Sequence, residues 1–377
     1  MTAKSAERVG GFDLLRIIAA VAVVGIHVLA AGWPYRGAAG NAQLWVYTSY
    51  TFIWFATPAF AFLTGALVWN YRPIKSVREY GSFLRRRSGV VVYPFLFWSA
   101  FYIWYARYTP IELRPTGPPL HYIVDVARLL VMGRASFHLY FLPIVVMFYL
   151  VAPLFSLGFA RRPVLTFLGL WAVGTFGSLV VTGFGSEHLV SVYRVFQLTM
   201  WLLPAAAAGG LYGAMRQRWG TALALIWPVL LGAGLLLRWL DRGPVQLPNP
   251  YAQSAFSTTY LVLTLIGLVC LMELVARKLP ALARASQWLG AGAFGVYLVH
   301  PVGIAWVTDW LISAHLTRLW GRGWFAVLAT AVVLVGSYAF CYLVMLSPYT
   351  SWIIGVKGGR RPRRAVPAPA NDPEEAL

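Results

Sequence analysis

The stretch from Phe12 to Ala31, FDLLRIIAAVAVVGIHVLAA, is almost wholly apolar over twenty residues, the length of a membrane-spanning helix. Two residues interrupt it, Arg16 and His27, eleven positions apart. At about 100° and 1.5 Å per residue, their side chains share one helix face and lie ~16.5 Å apart along the axis. Asp13 precedes Arg16 by three residues and can pair with its guanidinium.

An ionisable residue inside a span costs at least ~2.5 kcal/mol on insertion scales, so it indicates a functional site. The alternative is that Arg16 extends to the lipid headgroups and that His27 is a satisfied buried polar group. Because the two side chains share a face, the functional interpretation is favoured for the pair.

The composition excludes a soluble enzyme. Of the 377 residues, 59% are hydrophobic and only 11% are charged, which is typical of a polytopic membrane protein. The net charge of +19 first suggests nucleic-acid binding. Loop charges that orient the chain in a membrane explain it better, so no nucleic-acid partner is predicted. Cys270 and Cys341 both fall in apolar spans and are expected to be buried and unpaired.

Hydropathy predicts an all-α polytopic membrane protein with about ten transmembrane helices. The predicted spans are 12–32, 44–69, 88–108, 137–158, 163–182, 195–213, 220–238, 254–275, 288–310 and 323–347. They form one transmembrane domain over residues 1–352. The tail over residues 353–377 is basic, then rich in Pro and Ala, then acidic, and is predicted to be disordered and to lie in the cytoplasm.

The distribution of Lys and Arg predicts the orientation. With the N-terminus inside, 20 of the 31 basic residues fall in inside segments and 10, Arg238 among them, in outside segments. Arg16 lies within the first span. This bias predicts that both termini are cytoplasmic. The longest outside connection covers residues 109–136. Its second half, from His121 to Met132, is expected to form an amphipathic helix on the membrane surface.

Histidines are the best candidates for acid–base chemistry near neutral pH. Two of the six are intramembrane, His27 and His300, and His138 opens the fourth span at the outer surface. Three others are expected to be solvated: His121, His188 and His315. His300 has a structural alternative, because its ring can satisfy a backbone carbonyl that Pro301 leaves without a donor. No metal-site spacing, phosphate loop or serine nucleophile elbow occurs, so no metal is predicted.

Charged residues near span ends have two interpretations. The sequence FLRRR ends with Arg85, Arg86 and Arg87 at the start of the third span. They are either headgroup anchors or a cradle for a polyanionic ligand from the cytoplasm, since guanidinium groups bind phosphate bidentately. Glu273 and Asp309 lie near ends of spans and are expected to be solvated there.

Five segments in order resemble the bacterial acyltransferase-3 family of integral-membrane O-acyltransferases. The first span has that family's pattern of a basic residue, ten residues and a histidine, here Arg16 and His27. The other four are TPAFAFLTGALV at 57–68, FLRRRSGVVVYPFLFWS at 83–99, HLYFLPIVVMFYLVAPL at 138–154 and FGVYLVHP at 294–301. The resemblance covers about residues 11–347. It departs from the family at Val90, at Tyr140 and in the sixth span, positions that bear on the acceptor pocket.

The resemblance implies an enzyme of the bacterial inner membrane that moves an acyl group, most simply acetyl, from cytoplasmic acyl-CoA to a hydroxyl of a cell-surface glycan or lipid-linked saccharide. His27 would be the general base, with Arg16 beside the donor. Acyl-CoA would be a substrate, and no permanently bound cofactor is implied. The other implied binding residues are Asp13, Arg85, Arg86, Arg87, His138 and His300.

Two other classes of function remain open from the residues. A transporter or flippase of lipid-linked sugars would use Arg16, His27 and His300 as a proton relay. A scaffold for a glycan synthase would use every polar group structurally. Acyl transfer by membranes that contain the protein distinguishes an enzyme from a transporter. Substitution of His27 distinguishes an enzyme from a scaffold.

Overall fold

The computed structural model describes residues 10–32, 34, 54–69, 74–105, 118–183, 190–242, 247 and 249–356. Within these ranges the chain is helical and has no strand. The helices are α1 (Gly10–Ala31), α2 (Ala56–Thr64), α3 (Val77–Ser88), α4 (Val92–Tyr105), α5 (Pro119–Met132), α6 (Phe141–Leu150), α7 (Ala152–Arg161), α8 (Pro163–Gly183), α9 (Val190–Arg242), α10 (Pro250–Lys278), α11 (Pro280–Ser313) and α12 (Gly323–Met345). A π-helical turn, Gly65–Trp69, extends α2.

The all-α polytopic class is confirmed. In the described ranges, seven helices are long and apolar enough to cross a membrane. The pair α6 and α7, bent by 62°, makes an eighth if it counts as one span. Of the predicted span 44–69, only residues 54–69 are described, and their helix is short. The predicted spans 195–213 and 220–238 lie on one continuous helix, α9.

Helix α9 is bent, and its two halves pack on the same neighbours. Gly174 of α8 packs against Pro204, and the next residue of α8, Thr175, hydrogen-bonds Thr258 of α10 at 2.9 Å. Two residues further along α10, Tyr260 accepts a hydrogen bond from Arg238. A straight helix would separate Pro204 from Arg238 by about 51 Å, which these contacts do not allow. The predicted boundary between the two spans therefore corresponds to a bend within a helix.

Helix α1 lies at the centre of the bundle, in contact with α2, α10, α11 and α12. Its small residues allow this close packing: Gly11 lies against Glu273, and Ala19 and Ala20 are buried. In a membrane, where apolar side chains gain little by leaving lipid, small residues that admit close backbone approach stabilise helix pairs. The position of α1 places its three ionisable residues, Asp13, Arg16 and His27, within the bundle.

Helix α2, with its π-helical turn, crosses α9 at close range. Gly209 lies against the Phe62 carbonyl, and Gly65 lies against the Ala206 carbonyl, so that a Cβ at either glycine would overlap backbone atoms. Ala206 itself is fully buried. This contact fixes α2, whose other face lines the cavity described below.

Three peripheral expectations have clear outcomes. The segment from His121 to Met132 is helical, as predicted; it lies within α5, with Leu129 and Met132 buried and Tyr122 exposed. Both cysteines are buried and free, as predicted. The packed chain extends beyond the predicted domain end at 352, because Ile354 is buried. Residues 357–377 lie outside the described ranges.

Two charged residues expected at solvated positions are instead buried in ion pairs. Glu273 contacts Arg216 at 2.8 Å and Arg277 at 3.3 Å. Arg238, counted among the outside loop charges, is 6% exposed and lies 3.6 Å from Asp241. Neighbouring helices supply partners that hydropathy along one segment cannot show. Asp309 is exposed, as expected.

Candidate active site

Asp13 and Arg16 form an ion pair across the first two turns of α1. The Nη1 atom of Arg16 lies 2.7 Å from Oδ1 of Asp13. The aspartate side chain is 5% exposed and the arginine side chain 25%. Gly290 of α11 leaves room for the carboxylate, because its Cα faces Asp13. The predicted pairing is thus present, and it orients a partly exposed guanidinium.

His27 meets His300 at the middle of the bundle. Their ring centroids are 5.3 Å apart, and the ring planes differ by 22°, so the two imidazoles stack. His27 is half-buried and His300 is fully buried. Since Asp13 lies beside Gly290 and His27 beside His300, α1 and α11 run in the same direction.

His138 completes a cluster of three imidazoles. Its ring centroid lies 5.1 Å from that of His300, at an angle of 74°. Nδ1 of His138 is 3.1 Å from the Ser136 hydroxyl, and the Tyr297 hydroxyl donates a hydrogen bond to the His138 carbonyl. His138 is 1% exposed. His138 is therefore buried inside the bundle, whereas the sequence placed it at the outer surface.

The orientation of His300 is fixed by its own helix. Nδ1 lies 2.8 Å from the Tyr297 carbonyl and 3.2 Å from the Val296 carbonyl, so it must carry the proton. The Tyr297 carbonyl is four residues before Pro301, which has no N–H to offer it. The bond that the structural alternative for His300 requires is thus present. The other ring nitrogen of His300, Nε2, has no hydrogen-bond partner in the described structure.

An elongated cavity of about 160 Å³ leads from Arg16 toward this cluster. Helices α2 and α6 line it over about two turns each. On α6, the lining residues Phe141, Val145 and Tyr149 recur every four residues. Over eight residues, the lined length is about 12 Å. Arg87 and Tyr149 mark one end, with the guanidinium carbon 5.7 Å from the tyrosine ring centroid. Phe141 and Tyr297 mark the other end.

The three consecutive arginines have different surroundings. Arg87 is half-buried and lines the cavity together with Arg16. Arg85 and Arg86 are exposed and do not line it. Within the described residues, no carboxylate lies within ion-pair distance of Arg87. The cavity therefore has two cationic groups at one end and the imidazole cluster beyond its other end.

The family comparison fits this arrangement. A family model described as an acyltransferase domain matches residues 9–342. The chain belongs to the acyltransferase-3 family. No curated protein and no solved structure matches the chain. Family membership makes the protein a multi-pass membrane acyltransferase, and the matched region contains every candidate residue named above.

Several neighbours of the candidate site are not identified as site residues by the sequence. Tyr297 contacts both the cavity and His138, and it precedes His300 by three residues, on the same helix face. That spacing is the signal that could have identified it. Phe60 and Phe141 also line the cavity, but nothing in the sequence distinguishes them from other aromatic residues of the spans.

Two of the three remaining histidines can be placed, and neither belongs to the cluster. His121 and His315 are exposed, as expected, and His188 lies outside the described residues. Among residues whose placement is described, no group of three or more His, Cys, Asp and Glu side chains could hold a metal ion. The three imidazoles contact one another through their ring faces and edges instead of converging their nitrogens on one point.

Proposed function

We propose that the protein is an O-acyltransferase of the bacterial inner membrane. It moves an acyl group, most simply acetyl, from cytoplasmic acyl-CoA to a hydroxyl of a cell-surface glycan or a lipid-linked saccharide. The observation that carries the proposal is the cavity with Arg16 and Arg87 at one end and the imidazole cluster beyond the other. It joins a site for a polyanionic donor to a group that can take up a proton.

The dimensions of the site support acyl-CoA as donor. Arg87 and Arg16 can pair with phosphate oxygens, while Arg85 and Arg86 remain exposed beside Arg87 for the rest of the head group. The arm of the donor is narrow and flexible enough to extend along this channel. Arg16 and His27 are ~16.5 Å apart along α1. An extended arm of that length would bring the thioester to His27.

The chemistry assigned to His27 is general base catalysis. One nitrogen of its ring takes the proton from the acceptor hydroxyl as the hydroxyl oxygen attacks the thioester carbonyl. The carbon–sulfur bond then breaks, and the thiolate of CoA leaves with the proton that the imidazolium returns. His300 stacks on His27 and orients it. A covalent acyl-imidazole on His27 is the alternative route, in which the acyl group moves first to the ring nitrogen and then to the acceptor oxygen.

The transporter alternative is less well supported. A proton relay needs donors and acceptors within hydrogen-bond reach of one another. His27 and His300 are close, but Arg16 is about three helical turns from His27 and is held by Asp13. A relay through all three residues therefore lacks a connection.

Transfer of radiolabelled acetyl from acetyl-CoA tests the proposal. Membranes from cells that produce the protein should label a glycan or lipid-linked saccharide fraction, and membranes with His27→Ala should not. Comparing the surface glycan with that of a deletion strain by mass spectrometry would identify the acceptor. Export of the saccharide without any acetyl incorporation by the wild-type protein would support the transporter instead.

A further inference from the structure

We infer that Phe60, Phe141 and Tyr297 form a constriction between the donor cavity and the imidazole cluster, and that Phe60 sets the size of the acyl group that passes. This inference rests on the proposed function. The three rings contact one another pairwise: the centroids are 6.2 Å apart for Phe60 and Phe141, 6.3 Å for Phe60 and Tyr297, and 6.4 Å for Phe141 and Tyr297.

The rings lie at one end of the cavity. Along α6, Phe141 is two turns from Tyr149, which contacts Arg87. Phe60 of α2 and Val68 of the π-helical turn likewise lie at opposite ends of the lining. The aromatic end is therefore about 12 Å from the cationic end.

The imidazoles adjoin one of these rings, Tyr297, and do not line the cavity. Tyr297 is 5.3 Å from His138 and 6.2 Å from His300, measured between ring centroids. His27, in turn, stacks on His300. A donor whose head binds near Arg87 must pass its acyl end between these rings before the thioester reaches His27.

The three rings differ in how firmly they are held. Tyr297 is 7% exposed, and its hydroxyl donates to the His138 carbonyl. Phe141 is also 7% exposed and begins α6 immediately after the loop that bears His138. Phe60 is only half-buried and has no polar anchor on its ring. Phe60 is therefore the ring that can move aside, while the other two form a fixed edge.

The acyl group is the leading end of a donor that binds with its head at the arginines. A close contact among three rings leaves the least width at this point, so small acyl groups pass with the least displacement of Phe60. Packing in protein interiors resists expansion by even a methylene group. Acetyl is favoured over longer acyl chains by this geometry, and a smaller side chain at position 60 removes the restriction.

The test compares Phe60→Ala with wild type on acetyl-CoA, butyryl-CoA and hexanoyl-CoA. Transfer kinetics and donor affinity in detergent are both measured on the purified full chain. Phe60→Leu keeps most of the volume, and Phe97→Ala, a partly exposed ring on α4 away from the cavity, is the matched control. We expect Phe60→Ala to raise the butyryl-to-acetyl ratio of kcat/KM at least tenfold, and both other variants to leave it within threefold.

Each outcome separates this inference from the proposed function. An unchanged acyl ratio in a Phe60→Ala protein that still transfers acetyl overturns the constriction and leaves the function standing. If no variant transfers any acyl group, the proposed function fails. In that case, a tenfold gain in relative affinity for butyryl-CoA in Phe60→Ala still supports the constriction, and unchanged relative affinity rejects it.

Discussion

His27 and His300 stack their imidazole rings with centroids 5.3 Å apart. Two imidazolium cations at that distance would repel by about 3 kcal/mol at an effective dielectric constant of about 20. The pair therefore favours at most one added proton. A base that takes one proton from an acceptor and returns it to a leaving thiolate needs no more than that.

Replacement of His27 by alanine should abolish detectable acyl transfer. Loss of a general base typically lowers the rate by ~10²–10⁴-fold. The variant should insert in the membrane, purify in the same oligomeric state as wild type and bind acyl-CoA with unchanged affinity. Transfer is measured with radiolabelled acetyl-CoA, and His315→Ala, at an exposed site, is the control. Transfer within about threefold of wild type by folded His27→Ala would reject the role of His27 as base.

Arg87 should matter for donor affinity more than Arg86. A charge-assisted hydrogen bond to phosphate contributes roughly 1.5–3 kcal/mol, which corresponds to about a tenfold to hundredfold increase in Kd when it is lost. We expect this increase for Arg87→Ala in calorimetric titrations with acetyl-CoA. Arg86→Ala should change the affinity less, and Arg78→Ala, exposed on the same helix, should not change it. If all three variants bind acetyl-CoA with wild-type affinity, these arginines are lipid anchors only.

His300 and Pro301 should be coupled in stability through the Tyr297 carbonyl. His300→Ala leaves that buried acceptor without its side-chain donor, at a cost of about 1–3 kcal/mol in the free energy of unfolding. Pro301→Ala provides a backbone N–H four residues after Tyr297, which can donate to the same oxygen.

A double-mutant cycle, measured by thermal or denaturant unfolding in one detergent, tests this coupling. The loss caused by His300→Ala should shrink by about 1 kcal/mol in the Pro301→Ala background. Additive effects would show that the carbonyl is not the shared acceptor. Activity per folded molecule, measured on the same samples, separates this structural role from a role of His300 in the reaction.

Gly209→Ala should destabilise the bundle, whereas Gly232→Ala on the same helix should not. A Cβ at Gly209 would overlap the Phe62 carbonyl, but a Cβ at Gly232 meets no atom within 4 Å. Overpacking of this kind costs typically ~1–3 kcal/mol, whereas an open helical site gains up to about 1 kcal/mol from alanine. The midpoint of thermal unfolding should fall for the first variant and stay or rise for the second. Equal midpoints would contradict the close crossing of α2 and α9.

The orientation can be tested by labelling single cysteines in intact cells. Cys270 and Cys341 are buried, so their background labelling should be low. A membrane-impermeant maleimide should label His121→Cys from outside, and should label Arg78→Cys only after permeabilisation. Both native residues are exposed. The reverse pattern would overturn the orientation predicted from the Lys and Arg distribution.

The part of the site on α1 was predictable from the sequence. A helical period of 3.6 residues places Arg16 and His27 on one face, and the spacing of three places Asp13 beside Arg16. The structure has the ion pair at 2.7 Å. These relationships depend on one helix alone, and a long apolar segment specifies that helix strongly.

Relationships between distant segments were not predictable in the same way. His138 was placed at the outer surface, whereas it is buried against His300. Glu273 was expected to be solvated, whereas Arg216 approaches it from another helix. Hydropathy describes how one segment prefers lipid or water, but it does not specify which neighbour provides a partner.

The parallel packing of α1 and α11 fixes the distance between the two ends of the candidate site. Asp13 lies beside Gly290 at one end, and His27 lies on His300 further along, so the distance from guanidinium to imidazole is held by two helices at once. Neither end can approach the other without unwinding a helix. Under the proposed function, the donor therefore has to match a fixed depth, and a donor with a truncated arm cannot bind the arginines and reach His27 at the same time.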